Sequence, residues 1–304
     1  MESEYARHII DIIGKDENEK FIIIGGIHGN EKSGIDAIIN VLPDLKKHSL
    51  VEKGKIYFLK GNLPALEHND RFIEKDLNRL WLDENIFSEN NSSPDFIQLK
   101  ELYHLIADEI CQNKFDNCYF LDLHTFSAKS GVFCIPAANA KSVAFAKSFS
   151  IPFIEKLSDT LPGTALSYFG NKGMTALVFE GGTHNTPEAT RTLEAGIWHS
   201  LAYAGFISSE LEKVKKGREL LKEISDNYPH HLELVYRHKL EDYYNFRMNK
   251  GYFNFKPIKK SEFLAVQNNS KITSPYSGYI LMPLYQRKGS DGFFIVREKE
   301  EVAE

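Results

Sequence analysis

KFIIIGGIHGNEKSG, residues 20–34, decides the fold. The apolar run Phe21-Ile22-Ile23-Ile24 is short, β-branched and closed by Gly25-Gly26, which reads as a fully buried strand over 20–27. Directly after it, Ile35, Ile38, Ile39 and Leu42 recur at helical spacing, so residues 31–42 read as a helix. The turn between them carries His28 and Glu31, with Gly25, Gly26 and Gly29 letting the backbone turn tightly. Polar groups that follow a buried strand lie where open α/β sheets bind their ligands, at the carboxyl ends of strands.

Working outward, the same grammar repeats. Residues 54–62, 118–125 (CYFLDLHT), 131–137 and 175–182 (TALVFEGG) read as further strands. Phe96, Leu99, Leu102, Tyr103, Ile106 and Ile110 mark a helix, and a second helix is expected over 139–149. Thr186-Pro187-Glu188 is a helix start that supplies an N-cap, a first-turn proline and an acid. The polar stretch 85–95 reads as a surface loop. Strands alternating with helices predict an α/β fold with a mainly parallel or mixed sheet flanked by helices. After residue 208 a charged amphipathic helix leads into short alternating segments at 232–236, 252–258, 278–285 and 292–298. These predict a smaller C-terminal β domain, dividing the chain into a catalytic segment, 1–225, and a β segment, 226–304, that caps the site.

Composition narrows the functions. A formal net charge of -5 over 304 residues argues against a general nucleic-acid or anionic-membrane binder. The three cysteines, Cys111, Cys118 and Cys134, have no CxxC spacing and point to a reducing, cytoplasmic setting without a disulfide framework. The opening residues have neither the basic n-region nor the apolar core of a signal peptide, and no run approaches a membrane span.

The chemistry gathers at strand ends. His28 and Glu31 follow the first strand, His124 ends CYFLDLH, and Glu180 ends TALVFE. Two histidines and a carboxylate form a catalytic zinc set that leaves a fourth position for water. Zinc brings the pKa of such a water near 7, and a separate carboxylate, Glu180, is then available to shuttle the proton. The mixed His/carboxylate set suits zinc, one ion per chain. Asp122, two residues before His124, projects to the same side of its strand and can orient that ligand. Arg71 and Arg79 are rigid forks suited to carboxylates and oxyanions, with Asn78 beside them. Singly, each of these residues is as well read as a surface or structural group; their common placement favours the metal site.

HGNE at 28–31, the GN…R…DLNR segment at 61–79, DLHT at 122–125 and EGG at 180–182 occur in one order. Together they resemble the succinylglutamate desuccinylase/aspartoacylase family, a branch of the zinc carboxypeptidase fold, over roughly residues 20 to 200. The resemblance implies an N-acyl amino acid amidohydrolase. In it His28, Glu31 and His124 would bind one zinc, Glu180 would activate water and protonate the leaving amine, and Arg71 would polarise the scissile carbonyl. Asn78 and Arg79 would hold a substrate carboxylate. The family's further substrate-binding arginine, about ten residues before the catalytic glutamate, has no counterpart in SYFGNKGMTALVFE, where Lys172 and Tyr168 are the substitutes on offer. His184 is expected near the site but not as a ligand, and Tyr276, Tyr279 and Tyr285 are candidates for a tyrosine reaching in from the C-terminal region. The expected substrate is a small, carboxylate-bearing acyl amino acid. A carboxypeptidase or peptide amidase of the same fold is the alternative, a non-catalytic metal-binding module a third, and homo-oligomerisation is left open.

Overall fold

The apolar run after Lys20 is the centre of the molecule. A computed structural model describes residues 7–15, 18–47, 50–240 and 245–299; the acidic opening residues 1–6 lie outside it. Strands β1 (His8–Ile13), β2 (Lys20–Gly25), β3 (Lys55–Lys60), β4 (Cys118–Phe126), β5 (Phe133–Pro136), β6 (Phe153–Glu155) and β7 (Thr175–Thr183) build the N-terminal part. The chain continues through β8 (His231–Lys239), β9 (Phe246–Met248), β10 (Pro257–Ile258), β11 (Phe263–Gln267), β12 (Ser270–Thr273), β13 (Gly278–Leu281) and β14 (Asp291–Glu298). Among the described residues, one sheet runs β1-β3-β2-β4-β7-β5-β6-β8-β14-β13-β10, beside a small antiparallel sheet β12-β11-β9.

The sheet is mixed. β2 pairs parallel with β3 and β4, and β4 with β7, while β5 returns antiparallel along β7. Beyond β8 every pairing is antiparallel. The C-terminal strands therefore prolong the main sheet as well as forming the small one. Phe21 to Ile24 are fully buried because β2 is covered on both faces. Phe21 and Ile23 pack in one apolar cluster, Ile22 and Ile24 in the other, as strand alternation requires.

Most expected elements are present with shifted ends: helix Ser33–Lys47 runs past residue 42, and helix Pro187–Tyr203 begins at Thr186, whose side chain accepts from Ala189 N. Two readings change. The stretch 85–95 is not all surface loop, because Asp83–Ile86 is a helical turn and Pro94 starts a helix. Residues 252–258 contribute only the two-residue β10. Residues 165–171, in the segment carrying Tyr168, form a helix capped by Thr164.

Candidate active site

The turn after β2 is built by two glycines. Gly26 has φ of +75°, a left-handed backbone that suits glycine. At Gly29 the backbone of the helix Leu63–His68 passes so close that a Cβ would sit 2.0 Å from the carbonyl carbon of Ala65. His28 and Glu31 are thereby held at the carboxyl end of β2, and both are buried. β2 pairs with β4, and β4 pairs with β7 so that His124 lies in register with Glu180. Groups 152 residues apart in the chain are thus fixed by adjacent strand ends.

The donor atoms converge. His28 Nδ1 lies 2.8 Å from Glu31 Oε1, and His124 Nδ1 lies 3.1 Å from Glu31 Oε2. One donor atom from each of His28, Glu31 and His124 falls within 4.8 Å of the others. The outward nitrogens face carboxylates: His28 Nε2 is 3.0 Å from Asp76 Oδ1, and His124 Nε2 is 2.9 Å from Asp122 Oδ2. That is the arrangement that fixes the orientation of metal-ligating imidazoles. Arg71 places Nε and Nη2 3.2 Å from Asp76 Oδ2, and its Nη1 is 3.5 Å from Glu31 Oε1.

Electrostatics explains what the cluster wants. Burial works against charge on Glu31, but His28 and His124 outweigh it and hold the carboxyl well below the usual range. Burial likewise opposes the Asp76 charge, and Arg71 and His28 overcome it. His124 is pushed well above the ordinary imidazole value, because Asp122 and Glu31 outweigh its desolvation. Glu180 is raised to about 8, first by burial and then by the Glu31 and Asp122 charges, against the pull of His124 and Arg71. Its Oε2 is buried without a protein partner. Glu31, Asp76 and Glu180 act on Arg71, Asp122 lies against His124, and Arg79 is the one further guanidinium that reaches Asp76, so the pocket carries an excess of carboxyl groups. A divalent cation among His28, Glu31 and His124 fits both that excess and the donor set.

A cavity of about 110 Å³ opens beside this cluster and is lined by Arg71, Asn78, Arg79 and Glu180 as well as the three donors. Asn78 Oδ1 accepts from Ala165 N at 3.0 Å, and Arg79 Nη2 donates to Asp291 Oδ2 at 3.0 Å. His184 also lines the cavity; its Nδ1 is 2.7 Å from Thr125 Oγ1, and burial lowers its pKa.

The two expected substitutes for the missing arginine are elsewhere. The Tyr168 hydroxyl donates to Asp83 at 2.8 Å, Lys172 lies over the Tyr168 ring with its Nζ 4.0 Å from Asp83, and neither residue lines the cavity. None of Tyr276, Tyr279 and Tyr285 lines it either: the Tyr285 hydroxyl donates to Asn249 O, and Tyr279 donates to Glu298. The C-terminal contribution comes from residues 282–291 instead, through Met282, Leu284, Gln286 and Asp291.

Asp76, Asp95 and Asp291 are positions in or behind the site that the sequence reading did not single out. Asp95 is fully buried and accepts from Ile73 N, Glu74 N and Lys75 N at 2.7–3.2 Å, and from Asn62 Nδ2 at 2.7 Å. It therefore shapes the loop that presents Arg71 and Asp76. Asp76 caps the short helix Leu77–Arg79 by accepting from Asn78 N, a signal present in DLNR.

Fold and donor set together define a mixed α/β protein with a buried His–Glu–His metal site. The chain belongs to the succinylglutamate desuccinylase/aspartoacylase family: the model of the Succinylglutamate desuccinylase/Aspartoacylase catalytic domain matches residues 17–189. A curated succinylglutamate desuccinylase of Photorhabdus laumondii is 28% identical over 160 residues, 51% of this chain and 47% of that one. The match thus spans about half the length of that relative. The solved succinylglutamate desuccinylase/aspartoacylase from Rhodobacter sphaeroides shares the fold with a TM-score of 0.68 at 16% identity, covering 96% of this chain and 88% of the other. The succinylglutamate desuccinylase from Vibrio parahaemolyticus gives 0.65 at 17%, covering 95% and 86%. No helix among the described residues is long and apolar enough to cross a membrane.

Proposed function

We propose that the protein is a zinc-dependent amidohydrolase that cleaves the amide bond of a small N-acyl amino acid. The observation that carries this reading is the convergence of His28, Glu31 and His124 beside a buried Glu180 that lacks a protein partner. His28, Glu31 and His124 would hold one zinc, which supplies Lewis-acid polarisation of water and carbonyl. Glu180 takes a proton from the attacking water as the water oxygen bonds to the amide carbon. It returns that proton to the amine nitrogen as the C–N bond breaks. Burial makes Glu180 more basic than an ordinary carboxylate, which suits it to hold the proton until the amine leaves. Arg71, held by Asp76, presents fixed positive charge to the oxyanion that forms on the carbonyl oxygen. Asn78 and Arg79 orient the substrate from the cavity wall.

Residues 1–225 carry the chemistry in this reading, and 226–304 cap it through residues 282–291. That wall favours small substrates over long peptides, and so speaks for the deacylase over a carboxypeptidase. The three cysteines are unpaired and buried, in keeping with a reducing cytoplasm. The test is Glu180→Ala. The purified variant should keep about one zinc per chain and lose at least about a hundredfold in the rate of N-acyl amino acid hydrolysis. Full activity in that variant would sink the mechanism.

A further inference from the structure

The two guanidinium groups that line the cavity are already matched by the protein's own carboxylates. Arg71 is held by Asp76 and Glu31. Arg79 donates through Nη2 to Asp291 and through Nη1 to its neighbour's carbonyl, Asn78 O, at 2.7 Å. Asp291 also accepts from Arg237 Nε at 2.6 Å, so the trio Arg79–Asp291–Arg237 carries one net positive charge. Arg79 Nε is buried without a hydrogen-bond partner. Arg71 and Arg79 are the only Lys or Arg side chains lining the cavity among the described residues.

The rest of the wall adds no further Lys or Arg among the described residues: Thr125, Ser127, Ser158, His184, Gln286 and Ser290 supply its polar groups, and one side of it is apolar. Ile135 and Val178 are paired across β5 and β7, and Leu161, Leu166, Met282 and Leu284 close over them. The helix Ala165–Asn171, from which the resemblance leads one to expect a cation, supplies Leu166 to the cavity and turns Tyr168 to Asp83. Thr164 Oγ1 is taken up by the helix cap, accepting from Ser167 N. A carboxylate placed against these side chains would lose its water and gain no donor.

We infer that the cavity selects N-acyl amino acids that carry one carboxylate and an otherwise apolar body, and rejects dicarboxylates. The inference rests on the hydrolase reading above for the reaction, but on the cavity wall alone for selectivity. Asp291 and Leu166 are its specificity-determining residues. Asp291 occupies the arginine fork that a second substrate carboxylate would need, and Leu166 puts a hydrocarbon where another cation would serve it.

The experiment compares N-acetyl-leucine, N-acetyl-methionine and N-acetyl-phenylalanine with N-acetylaspartate and N-succinylglutamate. Hydrolysis is followed with the zinc-loaded wild type, and binding by calorimetry with zinc-loaded Glu180→Ala protein. The apolar set should show at least tenfold higher kcat/KM and at least tenfold tighter binding. Equal or better performance by the dicarboxylates would overturn the inference while leaving the hydrolase reading intact. Tight binding of the apolar set without turnover by wild type would sustain the selectivity and sink the reaction. No binding of any compound would overturn the selectivity. In Asp291→Asn, with Leu166→Arg as the second variant, the disadvantage of N-acetylaspartate should shrink severalfold. An unchanged preference in folded protein would count against both assignments, and the wild-type comparison decides if neither variant folds.

Discussion

Asp122 touches no solvent, and its carboxylate faces the outward nitrogen of His124. Asp122→Asn keeps the shape and removes the charge. His124 then loses the group that orients it and strengthens it as a donor, and zinc affinity should fall about 10–100-fold, read by competition with a chromophoric chelator. Unchanged affinity would reduce Asp122 to packing. This pair was legible in the sequence because strand alternation puts residues two apart on one face. Its counterpart, Asp76, was not: it reaches His28 from a loop 48 residues further on. Tyr168 and Lys172 show the converse. Their spacing before Glu180 is right, but nothing in the residues themselves says which way their helix faces, and it faces Asp83.

At the scale of elements, the loop bearing Arg71 and Asp76 has little regular structure of its own and hangs on Asp95. Three backbone N–H groups and the Asn62 amide converge on that carboxylate. Asp95→Ala strands these donors and should cost about 3 kcal/mol in urea denaturation. Because the same loop presents Arg71, kcat should fall with KM little changed, whereas a purely structural role would leave both parameters intact in the folded fraction. The strands themselves were readable, since β2 and β7 carry apolar runs closed by polar groups and β4 carries one broken only by Asp122. The helix carrying Phe96, Leu99 and Leu102 was readable too, but the turn at 83–86 and the role of Asp95 were not, because Asp95 sits in the polar company of ENNSSPD and composition gives no sign that this one acid is buried.

Across the whole molecule, the helices covering one face are joined by a buried imidazole. Arg218 Nε donates to His199 Nδ1 at 3.2 Å, so Nε2 carries the proton toward Ser148 Oγ at 2.9 Å. Burial first, then Arg218, lowers the His199 pKa from 6.5 to about 4. Above pH 6.5 the folded and unfolded forms are both neutral there. Between 6.5 and 4 only the unfolded chain takes the proton, so stability falls as pH falls through that window, by up to roughly 3 kcal/mol. Urea unfolding from pH 7 to 4 should show this loss in wild type, while His199→Gln, which cannot titrate, should lack that part of the pH dependence. The C-terminal strands were expected as a small β domain; β9, β11 and β12 form a small sheet of their own, while β8, β14, β13 and β10 continue the main one. A period-two pattern announces strands and is silent about which neighbour they join. That continuity has a consequence for biosynthesis. Arg79 meets Asp291 across 212 residues, and residues 282–291 close the cavity, so a ribosome must translate through residue 291 before the pocket exists. His28, Glu31 and His124 emerge well before the wall that shelters them, so the pocket closes only once residues 282–291 have followed.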